Sequence, residues 1–107
     1  MERVNKMWKE KSNPSILKEI GKRIQRERLR QDITQTCLAE ASGVSLIVVQ
    51  RIEKGMSISL QNLLGILRAL NMLEGLEQLF PEPPISPILL KKLSGKTRKR
   101  ASKTIYK

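Results

Sequence analysis

Aliphatic and polar positions recur along the middle of the chain with a helical period. Ile16, Leu17, Ile20 and Ile24 follow one another at helical spacing, which predicts a helix over approximately 15–31, with Asn13 as its cap and Pro14 at its first position. Three further places share one arrangement, an aliphatic residue, then a Ser or Thr, then a second aliphatic four positions after the hydroxyl. They are Ile33-Thr34 with Leu38, Val44-Ser45 with Val49, and Ile58-Ser59 with Leu63. In each, the hydroxyl can cap backbone N–H groups that have no partner within the helix, while the aliphatic pair closes over the first turn as a hydrophobic staple. These starts predict short helices over 35–42, 46–54 and 60–70, the last burying Leu60, Leu63, Leu64, Leu67 and Leu70. A fifth helix over 73–80 holds Leu73, Leu76, Leu79 and Phe80 until Pro81 stops it. Those four residues read first as core, and whatever does not fit inside one subunit reads as dimer contact.

Between the second and third helices lies Ser42-Gly43-Val44, whose glycine can take the left-handed conformation that ends a helix. Two short helices joined in this way make a helix-turn-helix. The third helix divides by geometry into a face of Val48, Val49 and Ile52 and an outer face of Leu46, Gln50 and Lys54 with Ile47 and Arg51. If the outer face enters a major groove, those five residues are the readers. The alternative is that Leu46 and Ile47 are core or partner contacts on a helix rotated from this assignment.

Composition narrows the chemistry. The chain of 107 residues is the size of one small domain, and with only three aromatic residues it suits a modest helical core better than a β-sandwich. It has no His and one Cys, so an imidazole base, a His-ligated zinc and an internal disulfide are all excluded. No carboxylate pair reads as an acid/base couple, so neither an enzyme nor a cofactor is expected. Cys37 reads as a surface or partly buried thiol in a reducing, cytoplasmic setting. No stretch approaches the ~20 apolar residues of a membrane span, and Met1–Asn13 lacks the apolar core of a signal peptide.

A formal charge of +11 and a pI near 10.3 point to a polyanionic partner. Most of the excess is C-terminal: residues 81–107 hold 8 of the 21 basic side chains and a single acid, Glu82. The expected organisation is an N-terminal arm over 1–14, an all-α five-helix domain over 15–80, and a Pro-containing basic tail over 81–107 that is disordered when free. Within the arm, Trp8 with Val4 reads as an amphipathic turn. The tail's cations could follow phosphates beside a DNA site, or Ile88, Leu89, Leu90 and Leu93 could fold against a protein partner. A membrane surface is the least favoured of its readings, because the apolar segment is short.

The run Ile20-Gly21-Lys22-Arg23-Ile24, then Ile33-Thr34-Gln35, Leu38-Ala39-Glu40, Gly43-Val44-Ser45 and Arg51-Ile52-Glu53-Lys54-Gly55 resembles the XRE family of phage-repressor and Cro-like helix-turn-helix proteins. The resemblance covers roughly residues 16–72. It implies a repressor-like five-helix domain, usually dimeric, that sets its third helix in the major groove of an inverted-repeat operator in double-stranded DNA. Carried onto this chain, Gln35 would contact phosphate or support the reading helix, and Ser45, Leu46, Ile47, Gln50 and Arg51 would lie at base edges. Thr34, Lys54, Ser57 and Ser59 would lie along phosphates at helix starts and in the connecting loop. Arg28 and Glu53 fall where the family places an internal ion pair.

Departures from the pattern bear on specificity. Glu27 stands where an aliphatic is usual, Asp32 where Gly is usual, and Leu46, Ile47 and Val48 where polar readers are common. Leu46 and Ile47 could pack on thymine methyls, leaving Gln50 or Arg51 the hydrogen-bond readout. Leu76 to Pro84, with Ser86-Pro87, Leu89-Leu90, Leu93, Gly95-Lys96 and Arg98-Lys99-Arg100-Ala101, is also similar to tails of small XRE proteins paired with HipA-type kinase toxins. That similarity implies a HipB-type antitoxin that represses its own operon in the bacterial nucleoid. The competing expectation is a protein-interaction adaptor with only non-specific DNA contact.

Overall fold

The computed structural model describes residues 8–84, and every regular element among them is helical. A 3₁₀ turn at Trp8–Glu10 precedes α1 (Asn13–Arg30), α2 (Gln35–Ser42), α3 (Leu46–Glu53), α4 (Leu60–Ala69) and α5 (Gly75–Leu79). The three hydroxyls expected to start helices do so. Thr34 accepts from the Cys37 N–H at 3.0 Å, Ser45 from Val48 at 3.3 Å and Ser59 from Asn62 at 3.0 Å. Of the aliphatic residues flanking them, Leu38 and Val49 lie in the buried core, and Ile33, Val44, Ile58 and Leu63 pack against it.

The start of α1 differs from the expectation. Ser12 caps it, accepting from the Ser15 N–H at 3.2 Å, and Asn13 and Pro14 are the first two helical residues. Pro14 tolerates this place because an N–H in the first turn has no intrahelical partner to lose.

Ile24, Leu38, Val49, Ile52, Ile66 and Leu70 form the buried centre with Ala39. α1 packs on α3, and α2 packs on both α3 and α4. The prediction for α4 needs correction at Leu60, which is exposed: it lies about 120° around the helix from Ile66, the residue that takes the fully buried place. At the α1–α3 crossing, a Cβ on Gly21 would collide with the carbonyl oxygen of Ile52, so only glycine permits this approach.

Glu27, polar where an aliphatic is usual, is half-buried and fully engaged. Arg30 and Gln31 both donate to it, and Gln31 also donates to the Leu70 carbonyl at 3.0 Å, tying the end of α1 to the end of α4. Asp32 adopts φ 60, the left-handed region that makes glycine usual at such a place.

The compact unit runs to Leu76, and Glu77 lies beyond it. Leu73 and Leu76 are half-buried, but Leu79 and Phe80 are exposed, contrary to their reading as core. The reason is local. Leu73 and Glu74 form a turn, so the helix starts only at Gly75 and lasts five residues, too short to carry one apolar face from 73 to 80. Val4, the tail cations from Lys91 onward, and the expected partner residues Leu89, Leu90 and Leu93 lie outside the described residues.

Candidate nucleic-acid interface

α2 ends on Gly43 in the left-handed conformation, φ 75, with its N–H directed to the carbonyls of Ala39 and Glu40. The chain then turns through Val44 to the Ser45 cap and enters α3. Because α3 is anchored inward by Val49 and Ile52, its other flank must face outward. Leu46 is 38% exposed and Ile47 66%, so neither belongs to the core of this subunit. Gln50 and Arg51 are half-buried, and Lys54 is exposed.

Arg51 has a defined direction. Its Nη2 donates to the carbonyl oxygen of Ser57 at 3.0 Å, which lays the guanidinium along the loop between α3 and α4. One of its five donors is thereby used and the rest stay available to a ligand. Ser57 and Ser59 are exposed on that loop, with Ser59 opening α4. Thr34, Ser45 and Ser59 each use a side-chain oxygen as a cap, so the helix starts expected along phosphates retain further backbone N–H groups.

Behind the exposed face, the Glu53 carboxylate at the end of α3 collects donors from two other helices. Arg28 of α1 donates through Nε at 2.6 Å and Nη2 at 3.0 Å, and Gln35 of α2 donates at 2.9 Å. Gln25 of α1 adds a fourth contact at 3.2 Å. The remaining Arg28 fork, through Nη1, binds the Ile33 carbonyl at 2.8 Å. Burial pushes the Glu53 carboxyl up, but the hydrogen bonds from Arg28, Gln35 and Gln25, with the Arg28 charge, hold it below the usual carboxylate range. α1, α2 and the last turn of α3 are therefore pinned at one carboxylate, which fixes the angle at which α3 is presented.

Gln35 has its side-chain amide on Glu53. Gln25 carried no signal in the sequence, because its partner is 28 residues away and nothing local marks it. Cys37 is exposed, and no group of three or more His, Cys, Asp or Glu among the described residues could hold a metal. Among these residues, no helix is long and apolar enough to cross a membrane.

No curated protein matches the chain. Residues 24–75 match the family model described as Helix-turn-helix, a span that takes in the Glu53 junction, the Gly43 turn, all of α3 and the Ser59-capped helix. That match supports a DNA-binding transcription regulator, and within its span α2, the Gly43 turn and α3 form a helix-turn-helix.

Proposed function

We propose that the protein is a sequence-specific transcriptional repressor that binds an inverted-repeat operator as a homodimer. The carrying observation is the outward flank of α3, where Leu46 and Ile47 are exposed ahead of Gln50 and Arg51 on a helix held at its far end by Glu53. In this reading Leu46 and Ile47 meet thymine methyls and Gln50 and Arg51 supply hydrogen bonds to base edges. Thr34, Gln35, Ser45, Lys54, Ser57 and Ser59 border the phosphates, with backbone N–H groups at three helix starts adding to the side chains. Apolar residues left exposed near the end of the domain, Leu79 and Phe80, serve the dimer together with Leu73 and Leu76.

The role that fits this repressor is autoregulation as the antitoxin of a HipA-type kinase toxin, in the cytoplasm at the nucleoid, with Leu89, Leu90 and Leu93 on the partner. It rests on the basic, proline-containing tail and is tested by co-purification of the full chain with the product of the adjacent gene.

The second reading, an adaptor with only non-specific DNA contact, is favoured by one observation, the aliphatic character of the exposed pair Leu46 and Ile47. Fluorescence-anisotropy titration of the upstream promoter fragment and a scrambled duplex across a salt series separates the two. A promoter preference of about 10³-fold or more at physiological salt supports the repressor. Coincident curves that weaken together with salt support the adaptor.

A further inference from the structure

From Lys18 to its end α1 carries six basic side chains, and three of them are committed to carboxylates: Arg23 to Glu19, Arg28 to Glu53 and Arg30 to Glu27. Lys22 and Arg26, with Lys18 one turn earlier, form no ion pair among the described residues, and all three are exposed. The nearby carboxylates are already taken, since Glu19 accepts from Arg23 and Glu27 from Arg30 and Gln31. The spacing i, i+4, i+8 sets the three on one flank over about 12 Å of helix.

The same flank lies beside the candidate interface. At its start, Lys18 rests on the turn after α3, where a Cβ on Gly55 would stand 2.7 Å from the Lys18 Cγ. In its middle, Gly21 touches the last turn of α3, and Lys22 is the next residue along the helix. Toward its end, Gln25 reaches Glu53, which also holds Gln35 at the start of α2, so Arg26 follows directly on a residue joined to both reading elements. Cations without an ion pair in a row, the first of them against the turn after α3, match a row of phosphates. A single DNA strand presents one charge per ~3.4 Å of axis, hence three or four phosphates over that length.

We infer that Lys18, Lys22 and Arg26 form a phosphate-binding flank on α1, a third contact with the duplex backbone besides the helix starts and the α3–α4 loop. It rests on the DNA-binding reading and deepens it by assigning affinity, without base preference, to a helix outside the helix-turn-helix. The bland alternative is that Lys18 and Lys22 only complement the negative C-terminal end of α3.

The test compares Lys18→Gln/Lys22→Gln/Arg26→Gln with Lys9→Gln/Arg30→Gln/Arg68→Gln, which removes equal charge elsewhere, in full-length protein. Both are titrated against promoter and scrambled duplexes across a salt series, with thermal unfolding measured in parallel. The flank variant is expected to lower the slope of log K against log salt by roughly 2–3 per protomer, at about 0.9 per phosphate contact. It should weaken both duplexes by the same factor and leave their ratio within about twofold, because phosphate contacts carry no sequence information. The control should change the slope far less. An equal slope change in the two variants overturns the inference, as does a lowered melting temperature with an unchanged slope. Loss of promoter preference in the wild type would instead defeat the repressor reading while the slope comparison still decides the flank. A wild type that binds neither duplex defeats both.

Discussion

Glu53 and Arg51, two residues apart on α3, divide the work between holding the helix and using it. Side chains of Arg28 and Glu53 are only 8% and 2% exposed, and the pair is joined through two guanidinium nitrogens. Removing one charge strands the other, so Arg28→Met should cost about 3–5 kcal/mol in urea unfolding. Arg28→Met/Glu53→Leu should recover most of that loss, since desolvating the pair offsets much of its attraction. A double variant as unstable as the single would show that the junction stabilises the fold by more than its charge balance. Arg51 is the converse case, because its bond to the Ser57 carbonyl orients a guanidinium that the core does not need. Arg51→Ala should leave the melting temperature nearly unchanged, cost about 1–3 kcal/mol of operator affinity and relax preference at one base pair. Full affinity and unchanged preference in that variant would remove Arg51 from the base edges.

Among the elements, α1 and α3 meet where a side chain of any size is excluded. Gly21→Ala gains about 1 kcal/mol of helix propensity, yet its Cβ must displace the Ile52 carbonyl. Overpacking of this kind costs about 1–3 kcal/mol, so net destabilisation is expected in denaturant unfolding, and a more stable variant would mean the helices separate freely. Asp32→Gly should act oppositely, gaining up to about 1 kcal/mol by relieving φ 60 against the greater entropy of the unfolded glycine chain. The elements themselves were legible because each start is a local device: Thr34, Ser45 and Ser59 cap within three residues of themselves. Ser12 was missed because Asn13 is an equally good cap and Pro14 fits either the first or the second helical position. Leu60, Leu79 and Phe80 were misread as core because an apolar residue at roughly helical spacing does not reveal which side of its helix the rest of the chain covers. The outward face of α3 could be read from Val49 and Ile52, whereas the Gln25 contact to Glu53 exists only once the chain has folded across 28 residues.

For the whole molecule, charge links stability to pH in a simple way because the chain contains no histidine. Among the described residues, three carboxyls sit below their ordinary value in the folded protein. Glu19 is lowered by its hydrogen bond from Arg23, Glu27 to about 2 by those from Arg30 and Gln31, and Glu53 by its Arg28, Gln35 and Gln25 donors against the opposing effect of burial. A carboxyl with a depressed folded pKa binds fewer protons folded than unfolded, so its stabilisation is complete above the unfolded value, about 4.3 for Glu. It is lost as pH falls from there through the folded value, which for Glu27 extends the loss to about 2. Protonation also removes negative charge from a chain already at +11, and self-repulsion then adds to the acid loss. Between about pH 5 and 7 no side chain at its ordinary value changes charge, since imidazole is the one that would. Urea midpoints should therefore be flat across that interval and fall steadily below it. Glu53→Gln should lower the plateau and shallow the acid limb, because the most buried of the three carboxyls no longer titrates. A midpoint that already drops between pH 7 and 5, or an acid limb unchanged in Glu53→Gln, would place the acid sensitivity outside the junction that holds α3.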